Sequence, residues 1–344
     1  MSLREQWESE KASDWVVTPS KVKLKPVTKS PNKVKKTYPT FLSLIQKFNE
    51  NHDPQTGRFT YGPGGPKSGR SVSGGARDYG STDTSDAVSG DSLSSHIGPD
   101  GKLTEEREEL HRQIVDKFLE GKTAASGIPV LTMMGGGPAS GKSTMIKDGY
   151  VKDPDNSNDT VKIDPDAIKA ELPEYKDMVA AGDPGAAGFV HEESSALAKR
   201  LYNVALSEGI NVTYDGTGDG SVKSVMRKID AAKEQGYKVV GEYASCDTSE
   251  AIRRADLRGE KTGRFVNHDY IKACHTKVTN IAYECSPHFD KINIYDTNGS
   301  IKLVATGGSG QYLTTVDSEG FKRFMDKGDK FITLPNGQVV PIEE

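Results

Sequence analysis

At 344 residues the chain exceeds one average domain of roughly 150, so about two units, or one domain with long appendages, are expected. With 34% hydrophobic residues, 27% charged residues and 36 Gly, it is too apolar to be wholly disordered and too polar for one core throughout. The net charge of -4 gives no global pull toward nucleic acid, no run approaches the roughly 18 apolar residues of a membrane span, and the first thirty residues lack a secretory apolar core. Three cysteines, Cys246, Cys274 and Cys285, cannot build a disulfide framework and fit a reducing compartment.

Charge divides the chain. Residues 1–103 carry 15 Lys+Arg against 11 Asp+Glu, and the remainder carries 30 against 38. The first part reads as an arm. Lys21, Lys23, Lys25, Lys29, Lys33, Lys35 and Lys36 follow one another without an intervening acid, punctuated by Pro26 and Pro31. Repulsion between like charges and the lost proline donors predict an extended segment: a solvated linker, or a basic arm for an acidic partner or nucleic acid. Phe41–Phe48 has the spacing of two amphipathic turns. The string from Phe48 to Phe59 resembles a short tail of phage head-morphogenesis and related virion proteins. Thr60–Gly101 is rich in Gly, Ser and Asp, and disorder is expected there.

Order is expected from Thr104, an N-cap followed by Glu105 and Glu106 and by the apolar stripe Leu110, Ile114, Val115, Phe118 and Leu119. Beyond it, short apolar strands (Pro129–Met134, Thr160–Ile163, Asn211–Tyr214, Tyr237–Ala244, Lys291–Tyr295) alternate with helical stretches at 142–149, 188–208, 221–235, 248–259 and 268–284. That alternation predicts an α/β fold, a parallel sheet with helices on both faces. A hairpin at 296–300 and a Gly-rich joint at 307–310 follow. A second turn at Asn336-Gly337 lies between Phe331–Leu334 and Gln338–Ile342. The resulting division is an arm at 1–103, a domain at 104–306 and a small extension at 307–344.

The strongest motif is Gly136-Gly-Gly-Pro-Ala-Ser-Gly-Lys-Ser-Thr with the strand 130–134 before it and a helix after it; Gly136-x4-Gly141-Lys142-Ser143 is a P-loop. Backbone N–H groups of Gly136, Gly137, Ala139, Ser140 and Gly141, with Pro138 fixing the turn between them, are expected to wrap phosphate oxygens, with the helix dipole behind them. Lys142 would reach the β- and γ-phosphates of ATP, and Ser143, beside Thr144, would ligate Mg²⁺. No Asn-Lys-x-Asp guanine motif follows, which argues against a GTPase, and the core is small for a motor. A small-molecule kinase remains.

Two acids, Asp164 and Asp166, end the second strand, where ligands of open α/β sheets bind, and Pro165 between them equally suits a helix start. Asp215-Gly-Thr217-Gly ends the next strand. Arg254 and Arg258 sit one helical turn apart, and Arg264 follows Gly263 in a segment with the composition of a lid that could neutralise a transferring phosphoryl group.

In this order the pieces resemble the zeta toxin family of P-loop kinases. The similar stretch runs from about Pro129 to Val304 and takes in the loop, Ile163–Lys169, His191-Glu-Glu-Ser-Ser195, Asn211–Gly218 and Gly263-Arg264-Phe-Val266. The resemblance implies an ATP-dependent kinase acting on the 3′-hydroxyl of UDP-N-acetylglucosamine, a toxin against bacterial cell-wall synthesis in the host cytoplasm, with an antitoxin as partner. It implies Asp166 as catalytic base, with Lys142 and Arg264 in the chemistry. Arg254 and Arg258 would clamp phosphate, and Asp164, Asp215, Thr217 and Glu192 would lie on the acceptor side. Two positions depart from the pattern. Asp215 stands where some members have Glu, and Asp219 stands where some have a basic residue, so a diphosphate there would meet a negative charge. Other acceptors (another nucleotide sugar, an antibiotic, a polynucleotide end) stay open, as does a virion-associated protein in which the fold is structural or delivered cargo. A zinc-protease reading of His191-Glu192-Glu193 fails because Ser195 stands where the second His belongs.

Overall fold

Each short apolar run becomes a strand because its alternate residues can be buried against helices. β1 (Val130–Gly135), β2 (Val161–Ile163), β3 (Val212–Asp215), β4 (Lys238–Ser245) and β5 (Lys291–Asp296) pair in parallel in the order β2-β3-β1-β4-β5. The computed structural model describes residues 77–151, 159–183, 185–262, 265–334 and 338–342. The Lys21–Lys36 run, Phe41–Phe48, the phage-like string, Arg264 and the Asn336-Gly337 turn lie outside the described residues.

Two antiparallel strands, β6 (Lys302–Gly308) and β7 (Gln311–Thr315), extend the sheet beyond β5. β6 runs across the expected boundary at 306, so the sheet itself, and not an appended unit, takes up residues 307–315. A separate two-stranded ribbon pairs β8 (Phe331–Thr333) with β9 (Val339–Pro341).

Helices flank the sheet. In chain order they are α1 (Ser92–Ser95), α2 (Glu105–Leu119), α3 (Lys142–Lys147), α4 (Pro165–Lys169), α5 (Pro173–Ala180), α6 (Ala186–Phe189), α7 (His191–Ser207), α8 (Val222–Glu234), α9 (Thr248–Thr262), α10 (His268–Cys285) and α11 (Ser318–Met325). Thr104 caps α2 through its hydroxyl, as its side-chain chemistry predicts. The main core joins Leu131, Ile163, Val212, Val239 and Ile294 of the strands to Leu197 and Leu201 of α7, Ile229 of α8 and Val278 of α10. Each such fully buried side chain contributes about 1.5–3 kcal/mol.

The expectation of disorder through Gly101 is corrected for residues 77–101. They pack across α2 and α7, held mainly by charge pairs rather than apolar periodicity. Arg77 bonds Glu208 and Asp116, and the Tyr79 hydroxyl donates to Asp116. Thr82 Oγ1 contacts His111 Nδ1 at 2.9 Å and accepts from Arg200 at 2.9 Å, and Arg200 also donates to Glu108 at 2.7 Å. Below this strap, Arg107 donates to both oxygens of Glu193 (2.6 and 2.8 Å) and to Glu174, and His111 Nε2 lies 2.6 Å from Glu193. Leu93 and Leu103 close over Ala196.

Candidate functional site

The strand order brings two acidic strand ends beside the phosphate loop. β3 lies between β2 and β1, and Asp215 pairs in register with Met134 just before the loop. Asp164 directly follows β2 and caps α4, its carboxylate accepting from Asp166 N at 2.9 Å. The site therefore sits at the carboxyl ends of adjacent parallel strands, where an open α/β sheet places its crevice.

The loop from Gly136 to Gly141 is wound tightly. Gly136 has φ 138°, and a Cβ there would come within 2.6 Å of Ala244 O. Ala139 adopts φ 58°, a left-handed conformation uncommon for a residue with a Cβ, and one that local strain at functional loops accounts for. Ser140 Oγ is buried with no hydrogen-bond partner, a polar atom left for something the loop would enclose. Lys142 opens α3, and its ammonium donates to Gly136 O at 2.7 Å. Burial lowers the Lys142 pKa, opposed by the charges of Asp215, Asp219 and Asp164 and by Cys274. Burial likewise raises Asp215; Lys142 opposes this, while Asp164 and Asp166 add to it. One lysine and four carboxylates thus share one electrostatic neighbourhood.

Asp166 lies in the first turn of α4, more than half exposed, with the Lys169 ammonium 3.0 Å from its Oδ1. Thr217 O accepts from Gly136 N at 2.9 Å, and the Thr217 hydroxyl donates to Asp219. Asp219 also accepts from Cys274 Sγ at 3.1 Å. Ser143 and Thr144 occupy the exposed first turn of α3. The Ser143 hydroxyl and the Asp164 carboxylate are hard oxygen donors of the kind Mg²⁺ takes, and are the residues that would hold it.

Not every candidate converges. Arg254 is engaged by Glu250 Oε1 at 2.7 Å and by Thr297, donating to its carbonyl at 2.5 Å and to Oγ1 at 3.2 Å. Arg258 is exposed on α9. Glu192 is half-buried at the start of α7 and makes no hydrogen bond among the described residues, whereas its neighbour Glu193, which the sequence leaves on the same helix surface, is fully buried.

Two supports were invisible in the motif. His275 packs against the loop so closely that a Cβ on Gly137 would come within 2.3 Å of its ring, and its Nε2 donates to Pro138 O at 3.1 Å. Burial pulls the His275 pKa down to about 4, so the ring is neutral near pH 7. Thr297, after β5, donates through Oγ1 to Ser140 O at 2.6 Å. Nothing near Gly136 in sequence points to either partner.

A parallel sheet ending in a wound glycine loop, a half-buried lysine and strand-end acids defines a P-loop kinase-like nucleotide site. The zeta toxin family model matches residues 115–308, more than half of the chain, and the chain belongs to that family. The calmodulin calcium-dependent NAD kinase of Arabidopsis thaliana is 36% identical over 95 residues, which make up 26% of this chain and 18% of that relative's length. Among solved structures, the AvrRxo1-ORF1:-ORF2 complex with ATP shares the fold at TM-score 0.51 and 18% identity, covering 66% of this chain and 74% of that one. The PezAT toxin-antitoxin system of Streptococcus pneumoniae aligns at TM-score 0.47 and 20% identity over 58% of this chain and 80% of that one. Among the described residues, no helix is long and apolar enough to cross a membrane.

Proposed function

We propose that the chain is an ATP-dependent kinase that transfers the γ-phosphoryl group to the 3′-hydroxyl of UDP-N-acetylglucosamine. The observation that supports the reading is the placing of Asp164 and Asp215 at adjacent strand ends beside a wound glycine loop to which the Lys142 ammonium is bonded. The loop and α3 hold the triphosphate, Lys142 leaving Gly136 O for its β- and γ-oxygens. When bound, Mg²⁺ supplies charge neutralisation at those oxygens, and Ser143 with Asp164 would hold it. Asp166 accepts the proton of the acceptor hydroxyl, and Lys169 steadies the orientation of that carboxylate. Asp215 and Thr217 hold the acceptor, and Arg254, Arg258 and Arg264 are the arginines that would swing in to contact phosphate. Catalysis is then largely positioning and charge neutralisation. Acting on a cell-wall precursor, the kinase would be a toxin kept in check by an antitoxin.

A second acceptor has its own support. The Arabidopsis relative is named a NAD kinase, and a ribose hydroxyl of NAD is an acceptor of the same chemical kind as a sugar hydroxyl. Labelled ATP offered with UDP-N-acetylglucosamine and with NAD in parallel separates the two. Label moving to the UDP-sugar supports the first reading, and label moving only to NAD replaces it.

A further inference from the structure

The ends of β4 and β5 back the phosphate loop, and both are gripped from a segment beyond the 115–308 family match. Arg323 on α11 donates to Asp296 Oδ2 at 2.6 Å. Lys327, two residues past α11, donates its ammonium to Ser245 Oγ and to Cys246 O at 3.0 Å, and lies over the Phe324 ring. It forms no ion pair among the described residues. Desolvation lowers its pKa to about 8, with Cys246, Asp247 and Asp296 opposing the shift.

The backbone that Lys327 holds is the backbone that carries the loop. Ser245 O accepts from Thr297 N at 2.8 Å, and Thr297 in turn donates to Ser140 O. Cys246 Sγ lies 3.9 Å from Ala139 O. His275, which props Pro138 O, is itself influenced by the Lys327 charge. A desolvated cation without a carboxylate partner is unfavourable on its own, and a polyanion in the neighbouring cradle offsets part of that cost.

We infer that Lys327 is a positioning residue for the triphosphate, an ammonium held behind the loop that fixes the Ser245–Cys246 backbone and favours an anion in the cradle. The inference rests on the nucleotide reading above and adds a segment outside the family match to the working site. Arg323 assists by holding Asp296, next to Thr297.

The test is calorimetric titration of the full chain with Mg·ATP, with thermal melts of each ligand-free variant. Lys327→Gln keeps donors but removes the charge; a roughly tenfold weaker ATP affinity is expected, with a ligand-free Tm equal to or above that of the unchanged chain, because a desolvated charge has gone. Lys327→Arg restores affinity to within about threefold. Arg323→Gln, at a side chain 38% exposed, weakens ATP by a smaller factor, read beside its own ligand-free melt. A purely structural role would lower the Tm of Lys327→Gln and leave ATP affinity intact, which overturns the inference. If Lys327→Gln does not fold, unchanged affinity in both Lys327→Arg and Arg323→Gln overturns it, and weakened affinity in Arg323→Gln supports it. An unchanged chain that binds no ATP, or whose Lys142→Ala variant binds equally well, overturns the nucleotide reading and this inference with it; normal ATP binding with indifferent variants overturns the role of Lys327 alone.

Discussion

Lys142 and Asp166 carry different burdens in this account, and substitution separates them. Lys142 is half-buried and bonded to the loop it serves, so Lys142→Ala should weaken ATP binding and abolish turnover together. Asp166 is largely exposed in the first turn of α4, outside the 136–144 loop, and is paired with Lys169. Asp166→Asn should therefore bind ATP normally and lose about 10²–10⁴ in turnover, the range of a general base; titration calorimetry and a phosphoryl-transfer assay read the two quantities. The loop residues were legible because a phosphate cradle is local, needing Gly, Lys and Ser at fixed offsets in one turn. His275 and Thr297 were not, since each reaches the loop from well over a hundred residues away and carries no mark in its own neighbourhood. Gly137→Ala tests the first of these contacts. Its Cβ would meet the His275 ring, so a loss of about 1–3 kcal/mol in stability is expected from overpacking, with weaker ATP binding, measured by denaturant melts and calorimetry.

The parallel strands and their helices followed from alternating short apolar runs, since burial against helices leaves that pattern in the sequence. The segment 77–101 left no such pattern. It is held by Arg77, Thr82 and the charges of α2 and α7, and polar residues paired in three dimensions look like solvated linker in one. The edge strand β7 was hidden for a related reason: only Leu313 of its five residues is buried. A chain starting at 104 should accordingly be less stable than one starting at 77, because it strands Arg200 and His111 without Thr82; comparison of their denaturant midpoints checks this, and equal midpoints would contradict it. Within the same network, Glu193→Ala leaves Arg107 and His111 buried without their shared carboxylate, at a cost of about 3–5 kcal/mol.

For the molecule as a whole, acid should be the weak side. His275 is held neutral with a pKa near 4, well below its ordinary value of 6.5, so its contribution is complete above pH 6.5 and is lost as pH falls toward 4. Glu193, held down to about 2 by His111 and Arg107 against the opposing effect of burial, adds a second loss from about pH 4.5 toward 2. Thermal melts between pH 7 and 4 should show a falling Tm that flattens in a His275→Gln variant. All of this serves one claim, that a triphosphate in the loop faces an acceptor hydroxyl at Asp166. Mass spectrometry of UDP-N-acetylglucosamine incubated with the full chain and Mg·ATP tests it most directly. The account predicts a product heavier by one phosphate with the unchanged chain and none with Asp166→Asn; an unmodified sugar nucleotide with the unchanged chain, or the same product from both proteins, would contradict it.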